Sequence, residues 1–238
     1  MQAQHLSLLL PGTPPDCSRS IFACVVMYTV LFLWPFTAMA QTDAMHNAAY
    51  LSQFEKELVH EMNIARRNPK LYVAFLEHMK PYFVGNLFKS PKATPVVTEE
   101  GIRAVEEAIR FLHSVRPAPP LSPSRGMSLG ARQHVKDQGP RGTTGHQGSD
   151  GSRAVDRVNR YGTWQRTVAE NIAYGNDTTR EVVLSFIIDD GVASRGHRQN
   201  LFNPEFHRVG VACGAHAKYG SACVITLAGS YVEKPQQK

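Results

Sequence analysis

A run of about 20 apolar residues, Ile21 to Ala40, places the strongest limit on how this chain can fold. It ends in Ala38-Met39-Ala40, a small-x-small pattern before Gln41, and Arg19 is the only full positive charge ahead of it. The pattern reads as an export signal covering 1–40, followed by a polar lead-in over 41–54. A stretch this long can also span a bilayer, so an uncleaved N-terminal anchor is the alternative. In either case the folded part works outside the cytoplasm, secreted or in a periplasm or cell envelope.

Export sets the meaning of the cysteines. Removing 1–40 takes away Cys17 and Cys24 and leaves Cys213 and Cys223, ten residues apart around turn-forming Gly220. Disulfides persist in oxidising compartments, and an even count there favours a Cys213–Cys223 bridge over two buried thiols. Hydrophobic residues make up 42% and charged residues 19%, which excludes wholesale disorder. The net charge of +6 is uneven: residues 123–166 hold eight Lys/Arg against Asp137, Asp150 and Asp156. Such a region suits an anionic surface or is simply solvated. No nucleic-acid motif accompanies it, so nucleic acid is not an expected partner.

Leu51, Phe54, Leu58 and Met62 share one helix face. Asn68-Pro69 starts a second helix to about Met79, and residues 81–97, with Pro81, Gly85, Pro91 and Pro95, read as a loop. Ile102, Val105, Ile109 and Leu112 mark a third helix stopped by Pro117, ahead of an extended connector over 117–123. A helix over about 128–138 ends at Gly139. Ser152 caps a short helix, and the Thr178 to Glu181 capping box opens another that runs to Gly191. Val209, Val211, Cys213 and then Val224, Thr226, Ala228 alternate as strands of a closing hairpin. Helices followed by a hairpin indicate an α+β domain.

Several catalytic signatures fail. His60-Glu61-Met62-Asn63-Ile64 has isoleucine where a zinc-protease helix needs its second histidine. Gly148-Ser149-Asp150-Gly151 lacks the spacing of a nucleophile elbow. What remains is His146, Glu170, Asp189 with its neighbour Asp190, and His197, at the edges of apolar segments. Two imidazoles and two carboxylates can hold a divalent ion, or form a hydrogen-bonded polar cluster without one.

Four segments together resemble the CAP/SCP superfamily of cysteine-rich secretory proteins, antigen 5 and pathogenesis-related class 1 proteins, in its bacterial secreted form. They are His146 through Ser152, Ala169-Glu170-Asn171-Ile172-Ala173, Gly196-His197-Arg198-Gln199-Asn200-Leu201-Phe202-Asn203-Pro204, and Arg208-Val209-Gly210-Val211-Ala212. The early helix with Asn63 to Arg66 and Asn68-Pro69 resembles the family's first helix. The match covers 55–232, leaving a polar tail at 233–238. The resemblance implies an α-β-α sandwich, a central antiparallel sheet flanked by helices, with a cleft of two histidines and two acidic residues. His146, Glu170 and His197 match three of these positions. Phe186 stands where the family has tryptophan, which points to Asp189 as the fourth, with Asp190 as alternative.

Three functions follow as expectations. The first is an exported binding module whose cleft holds zinc or another divalent cation on His146 and His197, with an anionic lipid, sterol, cell-wall polymer or peptide as partner. The second is a metal-dependent hydrolase in which Glu170 is the general base for a zinc-bound water. The third is a non-catalytic envelope or host-contact domain whose polar cluster only stabilises the fold.

Overall fold

The computed structural model describes residues 48–91 and 95–235; the expected signal at 1–40, with Cys17 and Cys24, lies outside them, as does the first half of the lead-in. Ser52 starts the first helix, α1 (Gln53–Arg67), by a capping box: its Oγ accepts from Glu55 N, and Glu55 Oε2 accepts from Ser52 N. Asn68 closes α1 instead of opening the next helix, because its N–H donates to Ile64 O; α2 (Leu71–Met79) begins three residues later than Asn68.

The expected loop at 81–97 is more ordered than its prolines indicated. A short turn of 3-10 helix (Lys80–Tyr82) leads into three short antiparallel strands, β1 (Phe83–Val84), β2 (Leu87–Phe88) and β3 (Val96–Val97). Pro91 and Pro95 fall between strands rather than within them, and Phe83 stacks on Phe88 with ring centroids 4.9 Å apart.

α3 (Ile102–Ser114) follows, then the extended connector and β4 (Ser122–Pro123). The next helix, α4 (Arg125–Arg141), is longer than its apolar face suggested, because Ser124 Oγ caps it early and left-handed Gly142 ends it late. α5 (Ala154–Asn159) is capped one residue later than expected. Asp150 Oδ1 accepts from Ser152 N, and Asp156 Oδ2 accepts from Arg153 N, so Arg153 takes the cap position.

The residue pattern did not reveal β5 (Gly162–Tyr174); the family resemblance implied a central antiparallel sheet without placing this strand. α6 (Thr179–Ile188) starts at the Thr178 capping box but stops before Gly191: Asp189, at φ 54°, turns the chain out of the helix. α7 (Gly196–Phe202) precedes the hairpin of β6 (Arg208–His216) and β7 (Gly220–Glu233). Glu233, placed by sequence in the polar tail, is the last residue of β7, and its carboxylate accepts from Ser124 Oγ and Gly126 N.

The main sheet has the order β4-β6-β7-β5, antiparallel except for the parallel β4–β6 pair. Alternation sends Val209, Val211, Ile225, Leu227 and Ala173 to one face, where α1, α2, α3, α6 and α7 cover them. Ile172, Ala212 and Val224 face the other side, against Ala131 and Val135 of α4, while Met127 and Val158 of α4 and α5 pack on Ala228 and Tyr231. The result is an α+β domain with an α-β-α layering. Gly210 lets α4 approach closely: a Cβ there would lie 2.3 Å from the Met127 carbonyl carbon. Cys213 and Cys223 are directly opposite in the hairpin register and form a disulfide. Among the described residues no helix is long and apolar enough to cross a membrane.

The basic region does not form an unbroken cationic face. Arg132 pairs with Glu55, Arg141 with Asp137, Arg153 with Asp156, Arg157 with Glu170 and Arg160 with Asp150.

Candidate functional site: two histidine–carboxylate pairs at a sheet edge

Because β5 is the last strand of the sheet, its two faces meet at an open edge. Glu170 and Asn171 are adjacent on β5 and point to opposite faces, so each reaches a different helical layer. Glu170 engages Arg157 of α5, while Asn171 Nδ2 donates to His197 O at the start of α7, 2.9 Å away. The loop after α4 carries His146 over the same edge. The rings of His146 and His197 face each other with centroids 6.4 Å apart. Residues more than fifty positions apart in sequence thus share one cleft.

Each histidine is held by a buried carboxylate through the same ring atom. His146 Nδ1 lies 3.0 Å from Glu170 Oε1, and His197 Nδ1 lies 2.7 Å from Asp189 Oδ1. The Glu170 and Asp189 side chains are 3% and 1% exposed, whereas those of His146 and His197 are 56% and 25% exposed. A carboxylate accepts a proton-bearing Nδ1, which leaves Nε2 of each ring with its lone pair.

The carboxylates are themselves clamped. Arg157 donates to Glu170 Oε1 and Oε2 at 3.0 and 2.7 Å and to the His146 carbonyl at 3.2 Å. Both Glu170 oxygens are thus committed, to a guanidinium and an imidazole. Asp189 Oδ2 accepts from the backbone N–H groups of His197 and Arg198, at 2.9 and 3.2 Å, the second and third residues of α7. The left-handed backbone of Asp189 directs its carboxylate at this helix start. Asp190 turns the other way and accepts from Glu99 N and Glu100 N at 2.7 and 2.9 Å, tying the site loop to the chain before α3. Phe186, standing where the resemblance has tryptophan, stacks on His197 with centroids 5.8 Å apart.

Arg198 braces the loop from below. It is buried, donates to Ile187 O and Ile188 O, and pairs with Glu107 Oε1 at 2.7 Å. That hydrogen bond holds the Glu107 carboxyl below the usual carboxylate range. Asn200 Nδ2 donates to Asn171 Oδ1, so both ends of the Asn171 amide are occupied.

Sequence reading missed the supports of the His146 loop. His134 is fully buried, and its Nε2 lies 2.9 Å from Gly145 O. Gln138 Nε2 donates to the same carbonyl at 2.7 Å, and Tyr174 OH accepts from Gly145 N. Burial lowers the His134 pKa and raises that of Tyr174. Arg157 left no signal either, because an arginine beside Val158 on a six-residue helix reads as an exposed polar position.

As a metal centre, the cleft offers two imidazole nitrogens, with the carboxylates engaged behind them. Among the described residues no group of three or more His, Cys, Asp or Glu side chains is placed to hold a metal ion together. That donor set fits a cation bound by two imidazoles and completed by water or an exogenous ligand. It does not fit a catalytic zinc, which takes three protein ligands.

The profile of the cysteine-rich secretory protein family (CAP) matches residues 102–227. The chain is 33% identical over 92 residues to the uncharacterized protein YkwD of Bacillus subtilis, a match covering 39% of this chain and 34%, about a third, of that protein. Among solved structures it is similar to an extracellular protein containing an SCP domain from Bacillus anthracis, at 24% identity and TM-score 0.38 over 50% of this chain and 36% of that one. It is also similar to an outer surface protein of Borrelia burgdorferi, at 18% identity and TM-score 0.40 over 53% of this chain and 89% of that one.

Proposed function

The chain belongs to the cysteine-rich secretory protein (CAP) family, and from that premise we propose that it is an exported binding module whose edge cleft presents His146 and His197 to a divalent cation. One observation carries this reading: both rings set Nδ1 against a buried carboxylate, with centroids 6.4 Å apart, which favours a lone pair on each Nε2. A carboxylate behind an imidazole fixes its tautomer and raises its basicity, which is the support a metal-binding histidine needs. Glu170 and Asp189 therefore orient and polarise the ligating rings. A cation such as zinc would supply a Lewis-acidic attachment point for an anionic or carbonyl group of a partner. Anionic lipid, cell-wall polymer and peptide carry such groups, whereas a sterol would offer its hydroxyl oxygen.

Export is supported by the apolar segment ending at Ala40 and by the Cys213–Cys223 disulfide, which needs an oxidising compartment to persist. Glu170 is clamped by Arg157 and the described site offers no third protein ligand, which favours a binding site over a zinc-dependent hydrolase.

Calorimetric titration of the protein with zinc tests the proposal. Binding is expected at micromolar affinity, to be lost in a folded His146→Ala/His197→Ala variant, and to weaken by about tenfold or more in Asp189→Asn. A parent protein that binds no zinc, or a double variant that binds it equally well, would refute the cation site.

A further inference from the structure

Three of the six large apolar side chains that stand exposed among the described residues, Val84, Val96 and Val97, belong to the small sheet of β1, β2 and β3. Single exposed valines are ordinary, but a group on one surface marks an interaction site. The register shows how they are grouped. Val84 lies opposite Leu87 and Leu87 opposite Val97, so these three side chains form one row on one face. Phe83, Phe88 and Val96 form the row on the other face, where Phe83 packs on the main core. The Val84–Leu87–Val97 row therefore faces away from the core, with Val84 64% and Val97 81% exposed.

The charge around this row has one sign. Residues 78–98 contain Lys80, Lys89 and Lys92 and no Asp or Glu. Lys89 N–H donates to Tyr82 O at 2.8 Å, which continues the β1–β2 ladder by one rung. Alternation then sets Lys89 on the same side as Leu87, where it is exposed and pairs with no carboxylate among the described residues. The acidic residues that flank the segment are engaged elsewhere. Glu77 pairs with Lys80 at 3.2 Å, Glu99 turns its side chain to Gly191, and Glu100 pairs with Arg195.

Outward valine and leucine, a half-buried Tyr82 and lysines at the rim make up a surface suited to a lipid headgroup layer. Apolar tips enter the acyl boundary, the tyrosine sits at headgroup level, and long lysine stems hold their ammonium groups at the phosphates.

We propose that the Val84–Leu87–Val97 face is a docking surface for the headgroup layer of an anionic lipid bilayer. Docking there also places the two-histidine cleft. Glu99 and Glu100 follow β3 closely, and their N–H groups donate to Asp190, so one short link joins the lipid-facing sheet to the loop of Asp189 and His197. The surface acts whether or not the cleft holds a cation.

Tryptophan fluorescence of the full chain, with chelator present, tests this. Val97→Trp places a probe on the proposed face, and Val232→Trp places one at an exposed valine of β7; both are read as differences from the parent. With vesicles of phosphatidylglycerol and phosphatidylcholine, the Val97→Trp emission is expected to shift to the blue and to be quenched by brominated lipid, while Val232→Trp changes little. Adding Lys80→Glu and Lys89→Glu to Val97→Trp should raise the lipid concentration needed for half the response by about tenfold or more. The apolar segment at 21–40 is the same in every variant, so binding through it alone would leave Val97→Trp unchanged and overturn the proposal. The proposal is also overturned if both tryptophans respond alike, if phosphatidylcholine vesicles serve as well, or if the lysine reversals have no effect. A blue shift of Val97→Trp that grows with protein concentration in the absence of lipid would overturn it in favour of a second copy of the chain.

Discussion

Arg66 shows how much one residue can hold. It is fully buried, has no acidic partner among the described residues, and donates to Pro119 O, Leu201 O, Asn203 O and Phe206 O. Two separate segments, the connector at Pro119 and the stretch 201–206, thereby converge on α1, and burial lowers the Arg66 pKa to about 10. Arg66→Met strands these carbonyls, so a loss of at least about 3 kcal/mol is expected in urea unfolding. His134 gives a pH dependence of definite sign. Its folded pKa is lowered, so the unfolded chain binds the proton first; stability is full above about pH 6.5 and falls as pH drops below it. Arg157, Glu170 and Asp137 are the charged groups around the ring, and Arg157 opposes its protonation. In thermal melts between pH 7 and 5, His134→Gln should show a shallower loss than the parent, and identical slopes would remove His134 from the account. Neither role was legible in the sequence, where both residues look like ordinary surface positions. Burial depends on what the rest of the chain lays over them.

At the scale of elements, local chemistry carried much of the reading. The Thr178 capping box closes between Thr178 and Glu181, and the helix starts where it stands: Thr178 Oγ1 accepts from Glu181 N at 3.2 Å, and Glu181 Oε2 accepts from Thr178 N at 2.9 Å. Thr178→Ala should cost about 1 kcal/mol, read as a shift in denaturant midpoint at constant slope. Helix ends set by tertiary partners were less legible. α6 stops at Ile188 because Asp189 must aim at the start of α7, and no rule of propensity asks an aspartate for a left-handed backbone there. β5 was hidden for a related reason. Its outer half is half-exposed and bulged near Arg166, at φ 69°, so strict alternation breaks where a strand signal was needed.

For the whole molecule, the hairpin of β6 and β7 is the spine on which both helical layers rest, and the disulfide closes it between directly paired residues. A loop of about ten residues loses roughly 2–3 kcal/mol of unfolded-state entropy on bridging. The Cys213→Ala/Cys223→Ala variant should fall by about that amount in equilibrium unfolding, with the two-histidine geometry kept. A loss confined to a few tenths of a kcal/mol would mean that the strand register alone carries the hairpin.

The apolar segment that reads as an export signal, the α+β class, the candidate disulfide and the candidate residues His146, Glu170, Asp189 and His197 were all present in residue order, because apolar periodicity, cysteine parity and family-like motifs are one-dimensional signals. Tertiary structure decided which aspartate serves the cleft, since adjacent carboxylates on a left-handed turn diverge and only Asp189 meets an imidazole. It also decided that most of the basic region is neutralised, and that Arg157 and His134 lie beneath the site loop. Charge pairing and burial depend on distances through space, and those exist only once β5 takes the edge of the sheet.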